Sequence, residues 1–283
     1  MTKISIVTPS LNQAAYLDET LESIRSQNYA DVEHLVIDGV STDRTVSLLQ
    51  RKAGPEWQHM RWISERDGGC TQALNKGIRL ATGDIIGWLN SDDRYRAGCL
   101  ETVAKVFAQN PDVDVVYGDF TFMDQHGNHL RVRREIEFSR LVLFYHRISP
   151  IPSTSTFFRR RIFDEGNFFD ESLQFAMDYE FFVRLVNKGY RFKHIQALLA
   201  DFRLHPMSKT CATGARQLAE TRMTMRKYSP VALGVRNKTL RALCLAIMQI
   251  AASLARYTEK LLRGYYLPDN IVGRERPILS ERR

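Results

Sequence analysis

Two adjacent carboxylates, Asp92 and Asp93, follow the apolar run Ile85-Ile86-Gly87-Trp88-Leu89. Like charges side by side at a strand end repel unless something offsets them. A hard divalent cation held by oxygen ligands does so, typically with a diphosphate supplying further oxygens. The same Ser91-Asp92-Asp93 could instead cap a helix beginning near Ala97. A second loaded position is Asp38, in Asp38-Gly39-Val40-Ser41-Thr42-Asp43. Ser41 or Thr42 suits the cap of a helix carrying Val46, but Asp38 precedes any cap. Its carboxylate could accept hydrogen bonds from a base NH or from ribose hydroxyls. Arg159-Arg160-Arg161 could meet an anionic acceptor or a phosphate, although three consecutive arginines also suit a solvated face.

These groups need elements to aim them. Residues 4–8 form a β-branched run ended by Pro9 and read as a buried strand, followed by Leu17, Leu21 and Ile24 at helical spacing. Residues 32–37, 60–64, 84–89 and 113–117 read as further strands, and residues 46–49, 73–81 and 103–107 as parts of helices between them. Such alternation predicts a parallel sheet in a layered α/β domain. Ligands of open sheets bind beyond the carboxyl ends of the strands. Here those ends carry Thr8-Pro9, Asp38 and Asn90-Ser91-Asp92-Asp93. Past residue 117 the alternation breaks. A hairpin around His126-Gly127-Asn128, a basic segment, an extended piece at 155–158, a helix over 175–188 and a strand over 191–199 are expected.

Four blocks in order carry a resemblance. They are Ser5-Ile6-Val7-Thr8-Pro9-Ser10-Leu11-Asn12, then Val36-Ile37-Asp38-Gly39-Val40-Ser41-Thr42-Asp43, then Asp67-Gly68-Gly69 through Asn75-Lys76-Gly77, then Gly83-Asp84 through Asp92-Asp93. Together they resemble the family 2 glycosyltransferases, inverting enzymes of GT-A fold, over about residues 3–205. The resemblance implies an α/β nucleotide-diphospho-sugar transferase fold, with a mostly parallel central sheet flanked by helices and a C-terminal helical extension. Residues 1–210 would form the GT-A domain, with a nucleotide-binding half (1–118) and an acceptor half (119–210), and 211–283 a basic extension.

The same resemblance implies roles. Thr8 and Pro9 would line the nucleotide pocket through backbone contacts, and Asp38 would bind the base or ribose with Asp67 beside it. Asp92 would sit near the ribose or diphosphate, and Asp93 would ligate Mg²⁺ or Mn²⁺ bridging the phosphates. The family's base on a later helix corresponds to Asp178 in Met177-Asp178-Tyr179-Glu180, a residue that a helix dipole alone would also favour in a first turn. Arg203-Leu204-His205-Pro206-Met207-Ser208 matches a segment in which His205 would complete the metal or diphosphate site with Arg203 nearby. The implied partners are a nucleotide-diphosphate sugar donor and a carbohydrate or lipid-linked acceptor, in cell-surface polysaccharide or glycolipid synthesis. The sequence departs from the family pattern at Gly39-Val40, where Asp-Gly is frequent, at Asn90 for Asp, and at Met177 for Glu. A nucleotidyltransferase would want a Gly-rich basic loop after the first strand, and residues 8–16 hold neither Gly nor Lys/Arg. A non-catalytic sugar-nucleotide binder remains the other alternative.

Charge and tail complete the reading. The 283 residues carry a net +8, which suggests a nucleic-acid footprint until it is mapped. Residues 211–283 hold 14 Lys/Arg against 5 Asp/Glu, while 1–210 hold 26 against 27. A neutral body argues against nucleic acid. Four scattered cysteines with no Cys-x-x-Cys, and no secretory signal at the N-terminus, fit a cytoplasmic location. In the tail, Leu240, Leu243, Ile247, Ile250, Leu254, Tyr257 and Leu261 line one face of a helix over 236–263, with Arg241, Gln249, Arg256, Lys260 and Arg263 roughly opposite. Three fates are open: peripheral contact with the inner membrane face, packing on the body, or homodimerisation.

Overall fold

A computed structural model describes residues 2–52, 54–146, 148–206, 208 and 214–266. Its strands in chain order are β1 (Ile4–Ser10), β2 (Val32–Asp38), β3 (Met60–Ser64), β4 (Ile85–Trp88), β5 (Arg94–Tyr95), β6 (Val115–Met123), β7 (His129–Arg133), β8 (Thr156–Arg159) and β9 (Phe192–Arg203). All nine join one sheet in the order β3-β2-β1-β4-β8-β6-β9-β5, with β7 returning beside β6. The first four pair in parallel, as the alternation predicts. Beyond β4 the sheet is mixed: β8 runs antiparallel to both β4 and β6, whereas β6 and β9 are parallel. β1 is buried along its whole length, consistent with a strand covered on both faces.

Register sets up the site. Ser10 pairs with Asp38, and Asp38 pairs with Ser64, so three strand ends finish in one row at the carboxyl edge of the sheet. Over this half lie α1 (Leu17–Arg25), α2 (Thr45–Arg51), α3 (Cys70–Leu80) and α4 (Cys99–Gln109). α3 buries Ala73, Leu74, Gly77 and Ile78 at helical spacing. Gly77 lets it approach closely, because a Cβ there would lie 2.3 Å from Val7 Cγ1 and 3.1 Å from Ile37 Cγ1. Both neighbours are strand side chains in a packed core, so Gly77→Ala is expected to destabilise the fold by about 1–3 kcal/mol. Thermal unfolding checks this, and an unchanged midpoint would mean that α3 rides higher over β1 than described.

The second half is built from α5 (Arg140–Tyr145), α6 (Arg161–Asp164) and α7 (Met177–Asn187). α7 presents Phe181, Phe182, Leu185 and Val186 to the core, as its spacing predicts. The hairpin turns through residues 124–128, with Gly127 at φ +85° where a side chain would be strained. Five elements were not legible: the two-residue β5, the helix α5 inside the basic segment, the short α6, α8 (Gly214–Tyr228) and the short α9 (Pro230–Gly234). α10 (Lys238–Leu262) follows. The Asn237 side chain caps α10 by accepting from the Leu240 N–H, and Ser229 caps α9 with Pro230 in its first turn.

The Arg159-Arg160-Arg161 run corrects an expectation. Its guanidiniums tie chain segments together rather than waiting for an anion. Arg159 donates to the carbonyls of Phe107, Asn110 and Val113, Arg160 to those of Ala81 and Gly83, and Arg161 to the Asp114 carboxylate.

Candidate active site

The two adjacent carboxylates have different surroundings. Asp93 is 1% exposed. Its Oδ1 accepts from the Arg203 backbone N–H at 2.9 Å, and its Oδ2 accepts from Thr154 Oγ1 at 2.8 Å and Asn90 Nδ2 at 3.2 Å. Burial, and then the neighbouring Asp92 charge, push the Asp93 carboxyl well above the usual carboxylate range. Asp92 is more open, and its Oδ2 lies 3.0 Å from His205 Nε2. This arrangement departs from the expectation that Asp93 meets the cation, because three donors already occupy its oxygens. The pair that could hold one is Asp92 and His205. A carboxylate oxygen and an imidazole nitrogen suit Mn²⁺ or Mg²⁺ if a diphosphate supplies the remaining oxygens. Among the described residues no group of three His, Cys, Asp or Glu side chains converges. The Ser91-Asp92-Asp93 segment is not a helix cap: β5 intervenes, and α4 starts after Gly98.

Arg203 also departs from expectation. It is 1% exposed and stacks over Tyr16 at 4.9 Å. Its Nε donates to the Asp92 carbonyl, Nη1 to the carbonyls of Asp124 and Gln125, and Nη2 to Glu19 at 2.7 Å. Those bonds make it a brace behind the Asp92-Asp93 turn rather than a contact for donor phosphates. The Tyr16 ring also packs 4.7 Å from the His205 ring.

At the end of β2, Asp38 is fully buried. Its Oδ1 accepts from Ser41 Oγ at 2.5 Å, and its Oδ2 from the Ser41 N–H and from Ser64 Oγ at 2.6 Å. The helix cap is therefore not Ser41 or Thr42. Asp43 Oδ1 accepts from the Thr45 N–H instead. Val40 sits at φ +64°, in the left-handed region that a β-branched residue rarely enters, at the position where the family pattern favours Gly. Gly39 lies against Asp67: a Cβ there would meet Asp67 Oδ2 at 3.1 Å. The side chain of Thr8 turns away from the edge, bonding His34 Nε2 at 3.0 Å, and burial holds that imidazole down at about 3, hence neutral. Pro9 is buried one step further along β1.

Asp178 sits in the first turn of α7 and lines an open cavity of about 390 Å³. Its Oδ1 accepts from the Tyr179 N–H. Burial pushes its carboxyl above the ordinary range, and the charge of Glu220 pushes the same way. Glu220, from α8, accepts from the backbone N–H groups of Gln174, Phe175 and Ala176 at 2.8–3.2 Å. It thereby clasps the entry to α7 from 44 residues away. Nothing in the spacing of the sequence marks Glu220, because the clasp exists only once α8 folds back.

The predicted residues do not all reach one surface: Asp178 lines the cavity, whereas Thr8, Asp38, Asp93 and Arg203 are buried behind the sheet edge. Asp38 and Gly39 adjoin Asp67, whose Oδ1 accepts from the Gly69 N–H. A Cβ on Gly69 would be 3.2 Å from Gln174, which leads into Asp178. Across the cavity from Asp178 stands Thr154, a wall residue that also bonds Asp93, next to Asp92 and His205. Thr154 was not singled out in the sequence.

A sheet of this order with acidic groups along its carboxyl edge defines the GT-A class of glycosyltransferase. Two solved structures share it. Staphylococcus aureus TarS 1–349, solved in complex with UDP-GlcNAc, superposes with TM-score 0.68 over 94% of this chain and 76% of that one, at 16% identity. A Pyrobaculum calidifontis mannosyltransferase, solved with GDP-Man and Mn²⁺, gives 0.57 over 90% and 74%, at 19% identity. The profile of glycosyl transferase family 2 matches residues 5–166, and the chain belongs to that family. Among similar sequences, an uncharacterized glycosyltransferase of Mycobacterium tuberculosis is 34% identical over 64% of this chain and 68% of its own length. A chondroitin synthase of Escherichia coli is 28% identical over 71% of this chain but only 29% of its own. An uncharacterized glycosyltransferase of Rickettsia conorii, 28% identical over 65% of this chain, is likewise matched over only 31% of its length.

Proposed function

We propose that this glycosyltransferase moves a sugar from a nucleoside diphosphate to an acceptor hydroxyl with inversion at the anomeric carbon, and that Asp178 is the general base. The observation that supports it most is the placement of Asp178 and Thr154 on one cavity, with Thr154 bonded to Asp93 beside Asp92 and His205. Departure of the nucleoside diphosphate leaves negative charge on its phosphate. A divalent cation held by Asp92 and His205 would supply Lewis-acid neutralisation of that charge. Asp93 and Arg203 brace the turn that carries Asp92, and the Gly39–Asp67 corner faces the nucleoside. On the acceptor side, a hydroxyl is a poor nucleophile at neutral pH, so the Asp178 carboxylate takes its proton as the new bond forms. Attack from the face opposite the leaving group inverts the centre. Polysaccharide and glycolipid acceptors both fit, and the similarity to a chondroitin synthase favours the polymer. The donor is tested by a thermal-shift screen of UDP-, GDP- and dTDP-sugars with Mn²⁺. One donor raising the midpoint only in the presence of metal is expected, and no shift with any of them would overturn the reading.

The surroundings of Asp178 also fix a pH dependence. A general base must be ionised, so transfer is retained above its raised pKa and lost as pH falls through it. Glu220→Gln removes a negative charge near Asp178 and leaves one amide oxygen for the Phe175 and Ala176 N–H groups, at the cost of the longer Gln174 contact. The acid limb of kcat/KM is expected to move to lower pH, while thermal stability changes little. A limb that stays in place, or moves up, would remove Glu220 from the account.

A further inference from the structure

The tail helix packs on the body through a mixed face, with Ala252 buried and Leu245 and Met248 against the core, and charged groups beside them. Arg256, 4% exposed, pairs with buried Glu135 at 2.6 Å and donates to the Ile148 carbonyl at 3.2 Å. Lys260 donates to the Arg134 carbonyl, and Glu259 accepts from the Glu137 N–H. A separate apolar stripe is left in solvent. Leu240, Leu243, Ile247, Ile250, Leu254 and Leu261 are each 51–66% exposed along about six turns, an unusual expanse for a water-facing surface.

We propose that this outward face of α10 seats on an anionic bilayer surface, lying in the interface rather than crossing it. Length alone would permit a crossing, since 25 residues span roughly 37 Å against a hydrocarbon core of about 30 Å. A crossing, however, would strip Arg256 and Lys260 from their partners into hydrocarbon and leave buried Glu135 with Arg133 as its only cation among these three. An interfacial seat keeps every one of those bonds and covers only the apolar stripe. Charge favours an anionic surface. Of the two acidic residues in 214–266, Glu220 is committed to the α7 entry and Glu259 to the body, while Arg222, Arg226, Lys227, Arg236 and Lys238 are exposed. The stripe is also continuous with the cavity that holds Asp178. Tyr257 packs 6.1 Å from His146, a wall residue, and the cavity rim adds exposed Ile148 and Leu218. Seated this way, the acceptor side of the site opens at the lipid–water boundary, which rests on the reading of that cavity given above.

The test is co-sedimentation of the full chain with phosphatidylcholine vesicles, with and without phosphatidylglycerol. Wild type is expected to pellet with the anionic vesicles and to stay in solution with phosphatidylcholine alone. Replacing Leu243, Ile250 and Leu254 together by Glu alters only exposed side chains. It is expected to lower the partition at least tenfold while leaving the thermal midpoint and the donor-induced shift as in wild type. Asp178→Asn should pellet like wild type, so a failure of the active-site reading shows in transfer and not in sedimentation. The proposal is overturned if wild type remains in solution or if the triple variant pellets equally. It is also overturned if light scattering shows a wild-type dimer that the triple variant dissolves with no vesicle binding by either protein, which would make the stripe a contact between two copies.

Discussion

Asp178→Asn is expected to bind the donor with a thermal shift like that of wild type and to lose transfer by about 10²–10⁴-fold, the range that general-base help supplies. The two side chains are nearly the same size, and the Tyr179 N–H can still be accepted by an amide oxygen, so the α7 entry and its Glu220 clasp persist. What disappears is the ability to take the acceptor's proton. The measurement is single-turnover transfer with the donor identified by the thermal-shift screen, run beside a donor titration. Turnover within tenfold of wild type would reassign the base, and a lost donor shift would mean that Asp178 holds the sugar instead.

A contrast between neighbours carries the second large effect. Asp92→Ala is expected to raise the Mn²⁺ concentration needed for donor binding by about 100-fold, with little change in the midpoint of the unliganded protein, because Asp92 is one of two candidate ligands and is partly open. Asp93→Ala is expected to do the reverse first. Removing it strands Thr154 Oγ1, Asn90 Nδ2 and the Arg203 N–H in a buried place. Each donor left without an acceptor costs about 1–3 kcal/mol, so the midpoint falls by several degrees before any donor is added. Measuring both midpoint and Mn²⁺ titration for both variants separates ligand from support. If Asp93→Ala kept its midpoint and lost Mn²⁺ dependence, the assignment of the two carboxylates would be exchanged.

That pair also marks how far the sequence could be read. The first four strands were legible because each is a short apolar run closed by a polar or glycine signal, and they appear where expected. The order of acidic groups along the carboxyl edge followed from them. Which of Asp92 and Asp93 faces outward was not legible, since it depends on β9 delivering the Arg203 N–H from 110 residues away. Arg203, which the resemblance places near the diphosphate, is instead surrounded by Glu19 and the carbonyls of Asp124 and Gln125, partners that no local pattern announces. In the tail, the period of α10 was plain and its face assignment was not, because the buried Glu135 that draws Arg256 inward lies in a segment without periodicity. β5, at two residues, is too short to leave a pattern. Val40 at positive φ is the converse case, a place where local preference points away from the backbone that the Asp38–Ser41 bonds impose.

The reach of Glu220 into the turn before Asp178 bears on how this chain can be re-engineered. Swapping tails between homologues, or trimming one off to ease crystallisation, would leave three peptide N–H groups at the mouth of the reactive helix without their acceptor. Chimaeras joined ahead of Glu220 should therefore inherit a loosened entry to the helix of Asp178 even when every acidic residue on the sheet edge is kept, whereas junctions placed after Tyr228 keep that clasp and give up the Arg256 and Lys260 contacts to Glu135.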